Sequence, residues 1–181
     1  MWNEQIIMML LEGIKDTLYM TLTSTLIGYV IGLPMGILLT VTDKDGIHPN
    51  AAVYKVLDVI ANLIRSVPFL ILLIVLIPFT RFLIGRSYGP TATIVPLVIA
   101  AAPYIARMVE SSLKEVDAGV IEAARSMGAS NFTIVTKVML VEARTSLIVG
   151  ATISLGTILG YSAMAGTVGG GGLGGIAIRH G

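Results

Sequence analysis

The 181-residue sequence predicts an all-α fold, a polytopic bundle of transmembrane helices, on three observations. Four stretches are apolar for long enough to cross a hydrocarbon core of roughly 30 Å, which takes about 20 residues of helix. The composition is 55% hydrophobic and 13% charged, with a mean hydropathy of +0.87, far above what the core of a water-soluble domain this size requires. Prolines at 34, 68, 78, 96 and 103 fall within or beside the apolar stretches. Each should remove a backbone hydrogen bond and bend its helix, so neighbouring helices or a water-filled cavity must satisfy the freed carbonyls.

Taken in order, the N-terminus MWNEQIIMML lacks a basic n-region and a small-residue cleavage site, so it reads as retained rather than as a signal peptide. Glu4 to Asp16 is amphipathic and suits the membrane interface. The first span covers about 17–41 and carries Gly28, Gly32 and Gly36, two consecutive G-x-x-x-G steps. A second such pair, Gly156 and Gly160, lies in the fourth span. Faces of this kind let helices approach backbone to backbone, here inside the subunit more than at a seam between two copies.

The second span, about 56–79, is led by Lys55, Asp58, Asn62 and Arg65, which recur at three- or four-residue steps and share one helix face. Asp58, Asn62 and Arg65 form either a polar lining or gate at one mouth of a path, with Arg65 able to pair with Asp58, or a solvated extension of the helix below the bilayer. The third span covers about 91–109 and the fourth about 146–168. Tyr161, Ser162 and Met164 sit late in the fourth, beside the run GGGGLGG, read as a flexible external loop. That run contains a formal G-x-G-x-x-G, but it follows a membrane helix rather than a strand and no acidic residue trails it, so it is no nucleotide fingerprint.

Several function classes are excluded. A net charge of +1 gives no electrostatic case for nucleic acid, and the absence of cysteine removes disulfides, thiolate catalysis and Cys-ligated zinc. His48 and His180 are too few and too far apart for a metal site, and no converging nucleophile and base lie within the spans. No catalytic residue, metal or cofactor is therefore expected. With no P-loop lysine motif, the chain cannot hydrolyse ATP.

Orientation follows from Arg107, Lys114, Arg125, Lys137 and Arg144, clustered between the third and fourth spans. By the positive-inside rule that segment is cytoplasmic, which puts the 42–54 loop inside and the 80–90 loop and N-terminus outside. Within it, EVDAGVIEAARSMGAS reads as a helix of about ten residues over 118–127, roughly 15 Å long. Asp117 caps its start and Gly128 supplies the left-handed residue that stops it. Val120, Ile121, Ala124 and Met127 fall on one face, Glu122, Arg125 and Ser126 toward the other. Ser130 can cap a second short helix beginning SNFTIVTK. The pair is too short to span and too polar to bury in lipid, so it is either a plug for a partner's socket or an amphipathic connector on the membrane surface.

The residues Glu122-Ala123-Ala124, then Gly128 after three residues, then Val138 and Leu140, resemble the EAA motif of permease subunits of binding-protein-dependent ABC importers. Over nearly the whole chain, LDVIANLIRSVPFLILLIVLIPFTR, GPTATIVPLVIAAAPYIARMVESSLKEVD and GYSAMAGTVGGGGLG are similar to the permeases of methionine-uptake importers. The resemblance implies a type I ABC importer permease fold, a single transmembrane permease domain over 1–181, and residence in the cell membrane. It implies a homodimer served by two ATP-binding cassette subunits and an extracytoplasmic substrate-binding lipoprotein, moving methionine, D- and L-, by alternating access. Another amino acid or small solute, or an ATP-independent channel, is the alternative. The resemblance assigns Glu122, Ala123, Ala124, Arg125, Gly128 and Ala129 to ATPase docking and makes the region of Tyr161, Ser162 and Met164 a path lining, with simple packing the alternative for Met164. Two departures stand out. Val141 replaces the proline that usually ends the motif, which should let the helix from Phe132 run more smoothly into the fourth span. Members of the family continue through another apolar span after the glycine-rich loop, whereas this sequence stops at Gly181, so either the sequence is truncated or that helix is absent.

Overall fold

The computed structural model describes residues 4–181, so the N-terminal reading falls partly on residues 1–3, outside the described residues. Among the described residues the chain is helical and has no strand. It runs α1 (Glu4–Thr42), α2 (Ala51–Ser66), α3 (Phe69–Val75), α4 (Ile77–Ile84), α5 (Pro90–Lys114), α6 (Ala118–Ser126), α7 (Asn131–Thr133), a π-helical turn (Ile134–Met139), α8 (Leu140–Glu142), α9 (Arg144–Ala165), a 3-10 turn (Gly166–Val168) and α10 (Gly172–His180). It divides into two compact units: Met1–Gly28 with Ser66–Ala101 and Ser154–Gly181, and Tyr29–Arg65 with Ala102–Ile153.

Helices α1, α5 and Arg144–Val168 are each long and apolar enough to cross a membrane. The second apolar stretch is different: α2 and α3 qualify only as a pair, and that pair is bent by 102°. The break falls at Pro68, whose ψ of 135° lies outside the helical range, so that α3 starts afresh after it. Pro78 likewise occupies the first turn of α4, where its missing N–H costs nothing. These two prolines start helices instead of bending them. At the other end, Glu4–Asp16 is not a separate interfacial element but the opening turns of α1, whose 39 residues extend ~58 Å.

In the second unit, the first two-glycine step packs as expected. A Cβ on Gly32 would stand 2.6 Å from the Ala102 carbonyl oxygen, and one on Gly36 would stand 2.6 Å from that of Ala106. Backbone carbonyls of α5 cannot retreat, so only glycine fits. Gly36→Val is expected to cost about 3 kcal/mol by overpacking, read as a lower unfolding temperature in detergent. Gly156 and Gly160 behave otherwise: no atom approaches within 4 Å of a Cβ built at either, so the intrasubunit packing expected there is not made.

The first unit overturns the reading of GGGGLGG as flexible. Gly169, Gly171 and Gly172 take positive φ, and Cβ atoms on Gly166 and Gly174 would collide with the backbones of Gly174–Gly175 and Ala163. The run is a tightly folded turn into α10. That helix has no side-chain cap of its own, and Thr17 Oγ1 on α1 supplies one by accepting the Leu173 N–H at 2.9 Å.

Candidate functional site

The segment expected to dock on an ATPase lies wholly in the second unit. Asp117 Oδ1 accepts the Gly119 N–H at 2.8 Å and opens α6. At the other end Ala129 N–H donates to the Ala124 carbonyl at 3.1 Å and Gly128 N–H to that of Arg125 at 2.9 Å, a Schellman closure with Gly128 at φ 83°. A Cβ on Gly128 would meet no atom within 4 Å, so its glycine answers to backbone conformation, not space. Ser130 Oγ then accepts the Thr133 N–H at 3.2 Å and starts α7. Past it the chain widens into the π turn against which α6 packs. Backbone hydrogen bonds carry on across Ala143, from Ala143 N–H to Met139 and from Leu147 N–H to Ala143. The elbow where Val141 stands is therefore continuous in bonding but not a uniform α-helix.

Side chains on α6 divide less simply than its periodicity implies. Ala124 is buried, Glu122 and Ala123 are exposed, Gly128 is exposed and Ala129 half-buried. Met127, grouped by spacing with the inward face, is 82% exposed because the chain turns at Gly128 before anything can cover it. Phe132, on the other arm of the turn, is 78% exposed, so two large apolar side chains flank the same corner. Arg125 reaches back into its own chain, where Nη2 donates to the Ile47 carbonyl at 2.9 Å.

Beside α6 a cleft of about 620 Å³ is lined by Asp43, Asp45, Lys114, Glu122 and Arg125 among others. Its charged wall is one end of a ladder that sequence reasoning missed. Lys114 Nζ lies 2.6 Å from Asp43 Oδ2 and 2.8 Å from Glu110 Oε1, and Glu110 Oε2 lies 2.6 Å from Arg107 Nη1. Arg107 Nη2 then pairs with Asp58 and donates to Asn62 Oδ1 at 3.0 Å. Asn62 Nδ2 in turn donates to Asp58 Oδ1 at 3.0 Å. The expected Arg65–Asp58 pairing is thereby corrected: the cation on Asp58 is Arg107 from α5, while Arg65, like Asn62, sits in an exposed position. Asp58 is held by a neighbouring helix through Arg107.

The Glu110 side chain is only 7% exposed, and a carboxylate so desolvated persists only with close cations. The hydrogen bond from Lys114 holds the Asp43 carboxyl below its ordinary range. Because its pKa is depressed in the folded chain, the stability from this pair is complete above the ordinary carboxylate range and is lost as pH falls through the lowered value.

In the first unit the three residues expected to line a path have distinct settings. Tyr161 stacks on Phe69 with ring centroids 4.5 Å apart and planes 5° from parallel. Ser162 is 1% exposed, donates to the Leu159 carbonyl at 2.7 Å and lies 3.5 Å from the Thr21 hydroxyl, a packing position. Met164 is 47% exposed and Tyr161 half-buried.

Comparison with known proteins gives a consistent picture. The sequence profile of a family described as "binding-protein-dependent transport system inner membrane component" matches residues 8–180. A probable D-methionine transport system permease protein MetI of Vibrio cholerae is 47% identical over 173 residues, 96% of this chain and 77% of the relative. The D-methionine transport system permease protein MetI of Escherichia coli K12 is 51% identical over 164 residues, 91% of this chain and 76% of the relative. A solved structure of inward-facing conformations of the MetNI methionine ABC transporter superposes with a TM-score of 0.96 at 50% identity, covering 99% of this chain and 83% of that one. An amino acid ABC transporter with histidines, 23% identical with a TM-score of 0.78, shares the fold.

Proposed function

The chain belongs to the inner-membrane components of binding-protein-dependent transport systems, and from that premise we propose that it is the multi-pass permease subunit of an ATP-driven methionine importer. Its likeness along 99% of its length to the permease of a methionine ABC transporter carries the reading. The chain is not itself an enzyme. ATP is hydrolysed by a separate subunit, and the permease works beside a second copy of itself and receives solute from a binding protein.

We place α6 on the cytoplasmic side as the element that docks on the ATP-binding subunit. The basic cluster from Arg107 to Arg144 supports that orientation. The rigid double cap at Asp117 and Gly128 supports the role, since a helix that pulls on its neighbours must not fray. Glu122 offers a charge to a partner donor, exposed Ala123 and Gly128 allow close approach, and Met127 and Phe132 supply apolar area. Closure of the ATPase pair would move α6 and switch the cavity between inward and outward access, a rigid-body transition of the kind known in other switches.

The direct test is Glu122→Lys in the complete transporter. Retention of the ATP-binding subunit on pull-down should fall at least about tenfold, and labelled methionine uptake with it. Unchanged retention and uptake would remove α6 from the interface. Competition separates the substrates, because a methionine carrier is saturated by methionine before any other amino acid.

A further inference from the structure

The loop of residues 43–50, between α1 and α2, is built stiffly and tied to α6. His48 N–H donates to the Val41 carbonyl at 3.0 Å, Asn50 N–H to that of Thr42 at 2.9 Å, and Gly46 N–H to that of Asp43 at 2.9 Å. Gly46 lies so close to the end of α1 that a Cβ there would collide with the Val41 and Thr40 carbonyls. Asn50 Oδ1 accepts the Val53 N–H at 3.1 Å and fixes the start of α2. The loop has no slack with which to absorb a displacement.

Two cations grip it from outside. Lys114, the last residue of α5, holds Asp43 at one end. Arg125, on α6, holds the Ile47 carbonyl in the middle. Helix α6 is joined covalently to α5 through residues 115–117 and to α7 through residues 127–130, packs on the π turn, and is tied non-covalently to the end of α1 and the start of α2 through this loop.

We infer that the 43–50 loop is a strap that carries movement of α6 to α1 and α2, with Arg125 and the Asp43–Lys114 pair as its positioning residues. The inference rests on the docking role of α6 given above. Arg125 thereby leaves the docking surface: its guanidinium faces its own chain, and its work is to relay the pull, not to receive it. Without the strap, movement of α6 reaches α5 and the π turn but is not passed to α1 and α2, and ATP is hydrolysed with less solute moved.

The test uses the complete transporter in proteoliposomes, with its ATP-binding subunit and binding protein, reading ATP hydrolysed and labelled methionine accumulated in the same sample. Arg125→Met and Asp43→Asn should each bind the ATP-binding subunit as the parent does and raise the ratio of ATP spent to methionine moved at least about fivefold. Arg125→Lys, which keeps a donor for the carbonyl, should recover most of the parent ratio. A parent-like ratio in both Arg125→Met and Asp43→Asn would overturn the strap. Loss of ATPase binding in Arg125→Met would also overturn it and return Arg125 to the docking surface. The two roles fail separately: Glu122→Lys tests docking by binding, the strap variants test relay with binding intact. Should Arg125→Met not accumulate in the membrane, the ratio in Asp43→Asn decides by itself, a raised value upholding the strap and a parent-like value overturning it.

Discussion

Replacing Arg107 with methionine is expected to lower stability by about 3 kcal/mol, because it leaves the partly buried Asp58 carboxylate without its cation and the buried Glu110 carboxylate with Lys114 alone. The guanidinium lies between Asp58 on α2 and Glu110 one turn along α5, with one terminal nitrogen on each, and its Nε is buried without a partner. Only the planar fork serves two acids and Asn62 at once, so Arg107→Lys should recover only part of the loss. The measurement is thermal unfolding of the purified chain in detergent at neutral pH. The charge argument makes a sharper demand: Arg107→Met combined with Asp58→Asn and Glu110→Gln removes the stranded charges with their partner and should regain most of the stability. A triple variant as unstable as Arg107→Met alone would mean that the packing of the Arg107 stem, not its charge, holds α2 to α5.

That ladder also marks the limit of what the sequence made legible. The long spans could be read from apolar length, and α6 from Asp117 and Gly128, because both signals are local: a run of side chains that need lipid, or a cap within four residues of its donor. The partner of Asp58 is 49 residues away, and spacing along one helix face offered Arg65 because nothing in a single sequence says which face another helix will meet. The break at Pro68 was hidden for a related reason. Proline inside an apolar run reads equally as a kink within one helix or as the start of the next, and the 102° bend depends on tertiary packing. Glycines misled in the opposite direction. A run of them permits flexibility, but Gly166 and Gly174 are there because two backbones come too close for any side chain, a contact visible only once the chain is folded.

Introducing aspartate at both Met127 and Phe132 is expected to release the ATP-binding subunit and reduce ATP-driven uptake to background. These side chains are 82% and 78% exposed at the corner closed by Gly128. Among the described residues little of the chain itself covers this apolar area. Burying it under a partner is worth about 1.5–3 kcal/mol per side chain, hence roughly ten- to a hundredfold in affinity each. Lipid is the competing cover, and the two make opposite demands on the same variant. If the corner meets a protein groove from the aqueous side, both aspartates are solvated in the free chain, and its unfolding temperature should stay within the small range of surface substitutions. If it lies in lipid, each aspartate carries an insertion penalty of about 2.5–3.5 kcal/mol at bilayer depth, and the free chain itself should lose stability or fail to insert. Stability of the permease alone, measured beside ATPase retention, therefore separates the covers: unchanged stability with lost binding assigns the corner to the interface, and lost stability assigns it to the membrane.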